Sequence, residues 1–387
     1  MQRNLWIIAA LLIMVMTLVG CTAQPASTSS TTVSNSTVTT TSNLPPNSVS
    51  TSISGIETTL ESIYARVNPS VVLIQVTIPL SISNPGGGAL GSGFVWDTQG
   101  DIVTNNHVIS GASSMTVTFS DGTTVDASLV GADADSDLAV IKVNPSGLQL
   151  QPVILGDSTT IQVGQLAVAI GNPFGLENTM TVGFVSAIGR LVPADQNATG
   201  PTYSIPDIIQ VDTPINPGNS GGVLLDDTGA LIGVTQSIAT SSGSSSGVGF
   251  AIPSVIVKQV VPALITKGHY DHPYLGVSVT SLDPDLATAM NLPSNQHGAL
   301  VETVTAGGPA DKAGLKASNT NATVNGQQVP VGGDVITAYN GQTVKSSDDL
   351  ITFLANSGAV GQTVTLIILR SGTQMQVQVT LGLRPSS

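Results

Sequence analysis

Glycine and proline set the scale of structure in this chain. With 41 glycines and 22 prolines among 387 residues, apolar segments such as Val71–Val76 and Leu138–Ile141 stay short, and they are rich in Val, Ile and Thr. Branched side chains of this kind suit a pleated, half-buried surface, while Gly and Pro close the turns between strands. The length permits two domains, each with a core of its own. The expected body is mainly β.

Charged residues make up only 9% of the chain, and the formal net charge is −13. That balance repels nucleic acid and anionic lipid surfaces, so neither is an expected partner. The spacing of His, Cys, Asp and Glu offers no metal cluster, no Walker loop is present, and no cofactor or metal is expected.

At the N-terminus, Arg3 precedes an apolar run from Leu5 to Val19, too short to span a membrane comfortably and suited to an export signal. Leu18-Val19-Gly20-Cys21 resembles the bacterial lipobox, whose cysteine becomes the lipidated first residue after cleavage. Cys21 is the only cysteine, which excludes an intramolecular disulfide. Residues 22–54 are nearly all Ser, Thr, Asn, Pro and Val and cannot offset their ordering entropy, so they read as a disordered tether. Ile56, Leu60, Ile63 and Val67 then recur at helical spacing.

The stretch TPINPGNSGG, Thr213–Gly222, sets Ser220 among three glycines and two prolines just before a strand-like run. A serine so placed is either a turn hydroxyl or a nucleophile. A nucleophile needs a base, and of the four histidines His269, His272 and His297 lie in polar stretches where a solvated ring is expected. His107 differs, since TNNHV follows a hairpin and puts the ring in a short loop at a strand end, on a rigid scaffold. A base also needs a carboxylate to hold its tautomer. Among Asp133, Asp135 and Asp137, the last directly precedes the run Leu138–Ile141, while the other two fit the preceding turn.

TNNHV, SDLAVIKV, AIGNPFGLENTMTVGFVSAIGR, DTPINPGNSGGVLLDDTGALIGV and GVGFAIP, in this order, resemble the HtrA/Deg family of chymotrypsin-like serine proteases. The resemblance runs from about Ile56 to the C-terminus. It implies a double six-stranded β-barrel protease domain over 55–266, with His107, Asp137 and Ser220 as catalytic triad. Gly218, Asn219 and Ser220 would supply the oxyanion hole, and the loop within Ile170–Arg190 would shape it. Pro214 occupies the place where trypsin-like relatives carry an acidic residue; with Ile215 and Asn216 it implies an apolar cleavage preference. Val248, Gly249 and Phe250 fall on the strand that pairs with substrate backbone.

Residues 267–384 resemble one PDZ domain, a small β-barrel or sandwich with two helices. In that fold a C-terminal peptide adds as a strand and its carboxylate meets backbone amides. Tyr274, Leu275, Gly276 and Val277 match the carboxylate loop. Leu350 and Phe353, on a helix opening at Ser346, would line the pocket, whereas Leu354 reads as core. Residues 317–331 interrupt the usual pattern and are expected to form a surface hairpin or loop. The resemblance implies a membrane-tethered, ATP-independent endopeptidase of the cell envelope, acting on unfolded proteins and assembled as a homotrimer through about 56–70. The alternative is a non-proteolytic chaperone or peptide-binding scaffold.

Overall fold

The computed structural model describes residues 48–79, 87–172, 178–193, 204–236 and 247–385. The expected signal segment, Cys21 and most of the tether lie outside them. The first helix, α1 (Ser48–Val67), begins inside the segment expected to be tether. Its Thr58 and Thr59 hydroxyls fold back onto the carbonyls of Ser54 and Gly55, and its apolar stripe ends in buried Ile63 and Val67. Arg66, in its last turn, donates to the Thr228 carbonyl.

Among the described residues, twelve strands form two closed barrels. β1 (Val71–Ile78), β2 (Gly87–Val95), β3 (Asp101–Asn105), β4 (Ser114–Thr118), β5 (Thr124–Asp133) and β6 (Leu138–Val143) close one barrel in the order β1-β2-β3-β6-β5-β4. β7 (Leu166–Gly171), β8 (Thr179–Pro193), β9 (Ser204–Val211), β10 (Val223–Leu225), β11 (Leu231–Gln236) and β12 (Gly249–Pro253) close a second. Taken in chain order the two barrels have the same connectivity. Closure leaves no unpaired sheet edge to be satisfied.

Phe94, Val103 and Leu138 of the first barrel share one buried cluster with Val168, Ile170 and Val223 of the second. Each such side chain contributes about 1.5–3 kcal/mol through burial, so the seam between the barrels is as firm as their interiors. The short helix α2 (Asn106–Ile109) sits at the end of β3. Helix α3 (Ser254–Lys267) follows the second barrel and buries Val257, Val260, Val261 and Leu264 in the same cluster. It ends at Gly268, whose left-handed conformation returns its N–H to the Leu264 carbonyl.

The C-terminal module is built from β13 (Pro273–Tyr274), β14 (Val277–Ser281), α4 (Pro284–Ala289), β15 (Ala299–Val304), α5 (Pro309–Lys312), β16 (Thr320–Val324), β17 (Gln327–Val331), β18 (Val335–Tyr339), β19 (Gln342–Thr343), α6 (Ser347–Ser357), β20 (Thr363–Arg370), β21 (Thr373–Thr380) and β22 (Gly382–Leu383). Its sheet runs β14-β15-β18-β20-β21, with β19 on β18 and a separate β13-β22 pair. The segment 317–331 forms the hairpin β16-β17 around Asn325-Gly326, both in left-handed backbone as a two-residue hairpin turn demands. Arg370 lies against the buried Asp334 carboxylate, with Nε and Nη2 each 2.7 Å from one of its oxygens.

Candidate active site

His107 is carried by α2, a single helical turn, where a short loop was expected from TNNHV. Asn105 precedes that turn and anchors it: its Nδ2 donates to the Asp137 carbonyl at 2.9 Å, and the Asn106 amide reaches the same carbonyl at 3.1 Å. Asp137 itself adopts φ +52, a left-handed conformation that Asp tolerates better than most residues. This turns its carboxylate toward α2. Oδ2 lies 2.7 Å from His107 Nδ1, and Oδ1 accepts the His107 amide at 2.9 Å. The carboxylate therefore grips both ring and backbone of one residue. The His107 side chain remains 43% exposed while that of Asp137 is only 2% exposed, so the ring opens to solvent on the side away from its partner.

A third donor had no counterpart in the sequence reading. Gln236, the last residue of β11, donates Nε2–H to Asp137 Oδ2 at 3.0 Å, and its Oε1 has no hydrogen-bond partner among the described residues. The available signal was a long amide ending LIGVTQ, a strand buried throughout. With three N–H groups directed at it, the carboxylate is held in one rotamer.

Ser220 is 5% exposed and lies in the loop between β9 and β10. Gly221 explains why the loop comes close to α2. It adopts φ +84, and a Cβ there would meet the Ser92 carbonyl, the Thr104 hydroxyl and, at 3.2 Å, the amide of Asn105. Only glycine permits this approach. Gly218 is also left-handed, at φ +94. The Asn219 amide, expected among the oxyanion donors, donates instead to the Asn216 carbonyl at 3.0 Å. That amide is engaged in the turn. Residues 173–177, within the loop expected to shape this region, lie outside the described residues.

Ile215 is not an open pocket wall. It is 4% exposed and belongs to the core of the second barrel, where a Cβ on Gly249 would meet its Cδ1 at 2.8 Å. Pro214 is exposed and its carbonyl accepts from Thr181 Oγ1. Val248, just before β12, is 41% exposed, while Gly249 is buried and Phe250 half-buried.

Two further corrections concern charge. His272 is not solvated: its side chain is 17% exposed, and Nε2 lies 2.9 and 3.0 Å from the two oxygens of Asp133. Asp133 is the last residue of β5, not part of the turn. Burial pushes its carboxyl up, but the His272 ring and the hydroxyl and amide of Ser136 outweigh this and hold it below the ordinary value. Arg384 Nη1 contacts Asp135 Oδ2 at 2.8 Å. Asp133, Asp135 and His272 bring three potential metal-ligand atoms within 4.8 Å of one another. The His272 ring and the Arg384 guanidinium already face those carboxylates, so the group reads as a hydrogen-bonded side-chain cluster.

In the C-terminal module, Gly276 at φ +81 turns the chain into β14, whose only strand partner among the described residues is β15. Leu275 and Leu350 are 3% and 2% exposed and belong to the module's core, while Phe353 is half-buried with its ring near Tyr339. Tyr274 hydrogen-bonds Thr305 through its hydroxyl, and Val277 is half-buried against the core. The edge of β14 meets the start of α6 through Ser281 and Ser347, whose hydroxyls are 2.9 Å apart. Ser346 caps α6, accepting from the Asp349 amide. On its other side α6 meets the barrels: Asn356 Nδ2 donates to Asp207, whose carboxyl burial pushes above its ordinary value.

Residues 91–234 match the family of trypsin-like peptidase domains, and residues 273–381 match the PDZ domain family. The chain is 43% identical over 295 residues to Protease Do-like 1, chloroplastic, of Arabidopsis thaliana, covering 76% of this chain and 64% of that protein. It is 42% identical over 298 residues to a probable periplasmic serine endoprotease DegP-like of Brucella suis, covering 77% and 53% respectively. It thus spans between about half and two thirds of these relatives' length. Among solved structures, the HtrA-type protease AlgW with tripeptide shares 34% identity at a TM-score of 0.67, over 84% of this chain and 98% of that one. The serine endoprotease from Yersinia pestis shares 28% identity at a TM-score of 0.55.

Proposed function

The chain belongs to the HtrA/DegP family of serine proteases with a trypsin-like domain and a PDZ domain, and from that premise we propose that it is an ATP-independent serine endopeptidase. The observation that carries this reading is the short hydrogen bond from His107 Nδ1 to Asp137 Oδ2, backed by Gln236. A ring held by Nδ1–H in this way presents Nε2 as a free base.

In the first step Ser220 Oγ forms a bond to the substrate carbonyl carbon, and its proton passes to His107 Nε2. The carbonyl electron pair moves onto oxygen, where the amides of Gly218 and Ser220 would receive it. The carbon–nitrogen bond then breaks, and His107 returns the proton to the leaving amine. Water repeats the sequence on the acyl-enzyme and frees the serine. Asp137 keeps its charge throughout, orienting the ring and stabilising the imidazolium. An exposed Pro214, standing where trypsin-like relatives carry an acidic residue, supports preference for small or medium aliphatic residues at the cleaved position.

The protease domain would occupy 55–266 and the PDZ domain 267–384, the latter capturing C-terminal peptides of unfolded or misfolded clients. The DegP-like relatives named periplasmic support an extracytoplasmic place in the cell envelope, with work in protein quality control under stress. Lipidation of Cys21 after removal of residues 1–20 would tether the chain to the membrane, and trimer formation through about 56–70 would bring three sites together. The test is labelling by a fluorophosphonate probe together with cleavage of a denatured protein without ATP. Labelling and cleavage by the wild type, both lost in Ser220→Ala, are expected; a wild type that does neither refutes the enzyme and leaves the scaffold. Incorporation of a fatty-acid label that survives Cys21→Ser would refute the anchor.

A further inference from the structure

The Ser220 loop is held by Thr235, whose hydroxyl donates to the Asn219 carbonyl at 2.5 Å, and on the side of the first barrel by Ser92, which the proposed chemistry does not use. Ser92 lies in β2, is fully buried, and has all its polar groups engaged. Its amide donates to the Ser220 carbonyl at 2.8 Å, and its carbonyl accepts from the Thr104 hydroxyl at 2.7 Å. Its own hydroxyl donates to the Gly218 carbonyl at 2.7 Å and accepts from the Asn172 amide at 2.8 Å. One residue therefore fixes the carbonyl at each end of the segment 218–220, between which lies the Ser220 amide.

Gly218 needs such a hold. A glycine at φ +94 has no side chain to confine it, and its ψ sets the direction of the next peptide plane. The bond from Ser92 Oγ fixes the carbonyl of that plane, and the turn bond from Asn219 to Asn216 fixes its amide. The neighbouring glycines keep the hydroxyl in register: a Cβ on Gly91 would strike Val108, and one on Gly93 would meet Ile74 and the Val103 carbonyl. Strand β2 is thus pressed against both sides with only Ser92 projecting toward the loop.

The hydroxyl also joins the loop to a second network. Asn172 Nδ2 donates to Asn178 Oδ1 at 3.2 Å, and Asn178 Nδ2 reaches the Asn68 side chain at 2.7 Å and the Val71 carbonyl at 3.1 Å. Tyr64 of α1 donates to the Asn178 carbonyl at 2.8 Å. Tyr64 of α1, Asn68, and Val71 of β1 are therefore linked through Asn178 and Asn172 to the Ser92 hydroxyl.

Building on the protease reading, we propose that Ser92 is a positioning residue of the oxyanion loop, its hydroxyl holding the Gly218–Asn219 peptide so that the flanking amides of Gly218 and Ser220 face the developing oxyanion. The transition state alone places charge there, so loss of the hydroxyl acts on kcat and leaves substrate binding nearly unchanged. Deleting an oxyanion donor outright costs about 10²–10³ in rate, and displacing one costs less.

The test uses the full-length chain in detergent, with a peptide amide substrate and a peptide boronate that reproduces the tetrahedral, charged state. In Ser92→Ala, kcat should fall about ten- to a hundredfold with KM within about twofold, and boronate affinity should fall by a similar factor. Ser92→Thr keeps the hydroxyl and should recover kcat to within about fivefold of the wild type. Unchanged kcat in Ser92→Ala, an equal loss in Ser92→Thr, or a loss expressed in KM overturns the proposal. If Ser92→Ala does not fold, Ser92→Gly is measured by the same criteria; failure of both to fold assigns the hydroxyl to folding and also overturns it. A wild type inert toward substrate and fluorophosphonate refutes the protease reading itself, whereas an active wild type with an unaffected Ser92→Ala refutes only the positioning role.

Discussion

Replacing Asp137 by Asn changes one oxygen to an NH2 group at nearly constant volume. In the wild type Oδ2 accepts from His107 Nδ1 at 2.7 Å and Gln236 Nε2 at 3.0 Å, while Oδ1 accepts the His107 amide at 2.9 Å. The asparagine can adopt two orientations. With its oxygen in the place of Oδ2, its NH2 confronts the His107 amide, and two donors meet where the side chain is 2% exposed. With its oxygen in the place of Oδ1, its NH2 faces the ring and Gln236, and both can answer. The ring moves its proton to Nε2 so that Nδ1 accepts, and Gln236 turns its amide to offer Oε1, which has no other partner among the described residues. The second orientation avoids one buried unsatisfied donor, about 1–3 kcal/mol, or about 5- to 150-fold in population. It is also the unreactive one, since Nε2 then carries a hydrogen and cannot take the Ser220 proton. Adding the lost negative charge beside the imidazolium, kcat for a peptide amide should fall about 10⁴-fold with the melting temperature nearly unchanged. A kcat within tenfold of the wild type, or a loss traceable to unfolding, would refute this reasoning.

Three further outcomes are expected. Gln236→Leu removes one hydrogen bond to a charged group and should lower kcat about tenfold at constant KM; a wild-type kcat in steady-state assays would deny the amide any role. Gly221→Ala forces a Cβ into the Ser92 carbonyl and the Thr104 hydroxyl at φ +84, and should cost roughly 1–3 kcal/mol of stability by denaturant titration and abolish fluorophosphonate labelling. Asp133 has a lowered folded pKa, so its pairing stabilises the fold above the unfolded value of about 3.9 and is lost as pH falls below it. Thermal unfolding of Asp133→Asn should therefore trail the wild type at pH 6 and converge with it toward pH 3; a gap independent of pH would exclude the linkage.

The barrels were legible because their information is local. Val- and Ile-rich runs cut by Gly and Pro specify strand after strand, and a loop as glycine-rich as 218–222 announces a close approach of backbone to backbone. Placement of His107 failed only in detail: Asn105 satisfies the carbonyl of Asp137, which lets Asn106–Ile109 close a helical turn. Ser92 and Gln236 were not legible, although both face the site. Each is one polar residue in a buried strand, and its meaning comes from the carbonyl or carboxylate opposite, more than 90 residues away in sequence. Leu350 shows a related limit. Its helical spacing fits either groove or core, and in the fold it packs with Leu275, Val301 and Val379 in the module's core.

The three aspartates of GADADSD show most directly why residue type and spacing were insufficient. Sequence alone separates Asp137 from the others only by its place before a strand. In the fold each has a different cation or ring: Asp133 takes His272, Asp135 takes Arg384, and Asp137 takes His107. The first two partners stand 139 and 249 residues away along the chain, and both come from the C-terminal module. The third is 30 residues away, within the same barrel. The short connection from β5 to β6 is thus gripped from outside the barrel at 133 and 135 and from inside it at 137. Its left-handed turn at Asp137 is what allows one stretch of five residues to face both ways. An alternating strand through 137 would have sent that carboxylate to the same side as Asp133 and Asp135, because residues two apart share a face. The backbone reversal at one residue, rather than the identity of any of the three, decides which aspartate meets the histidine of the site.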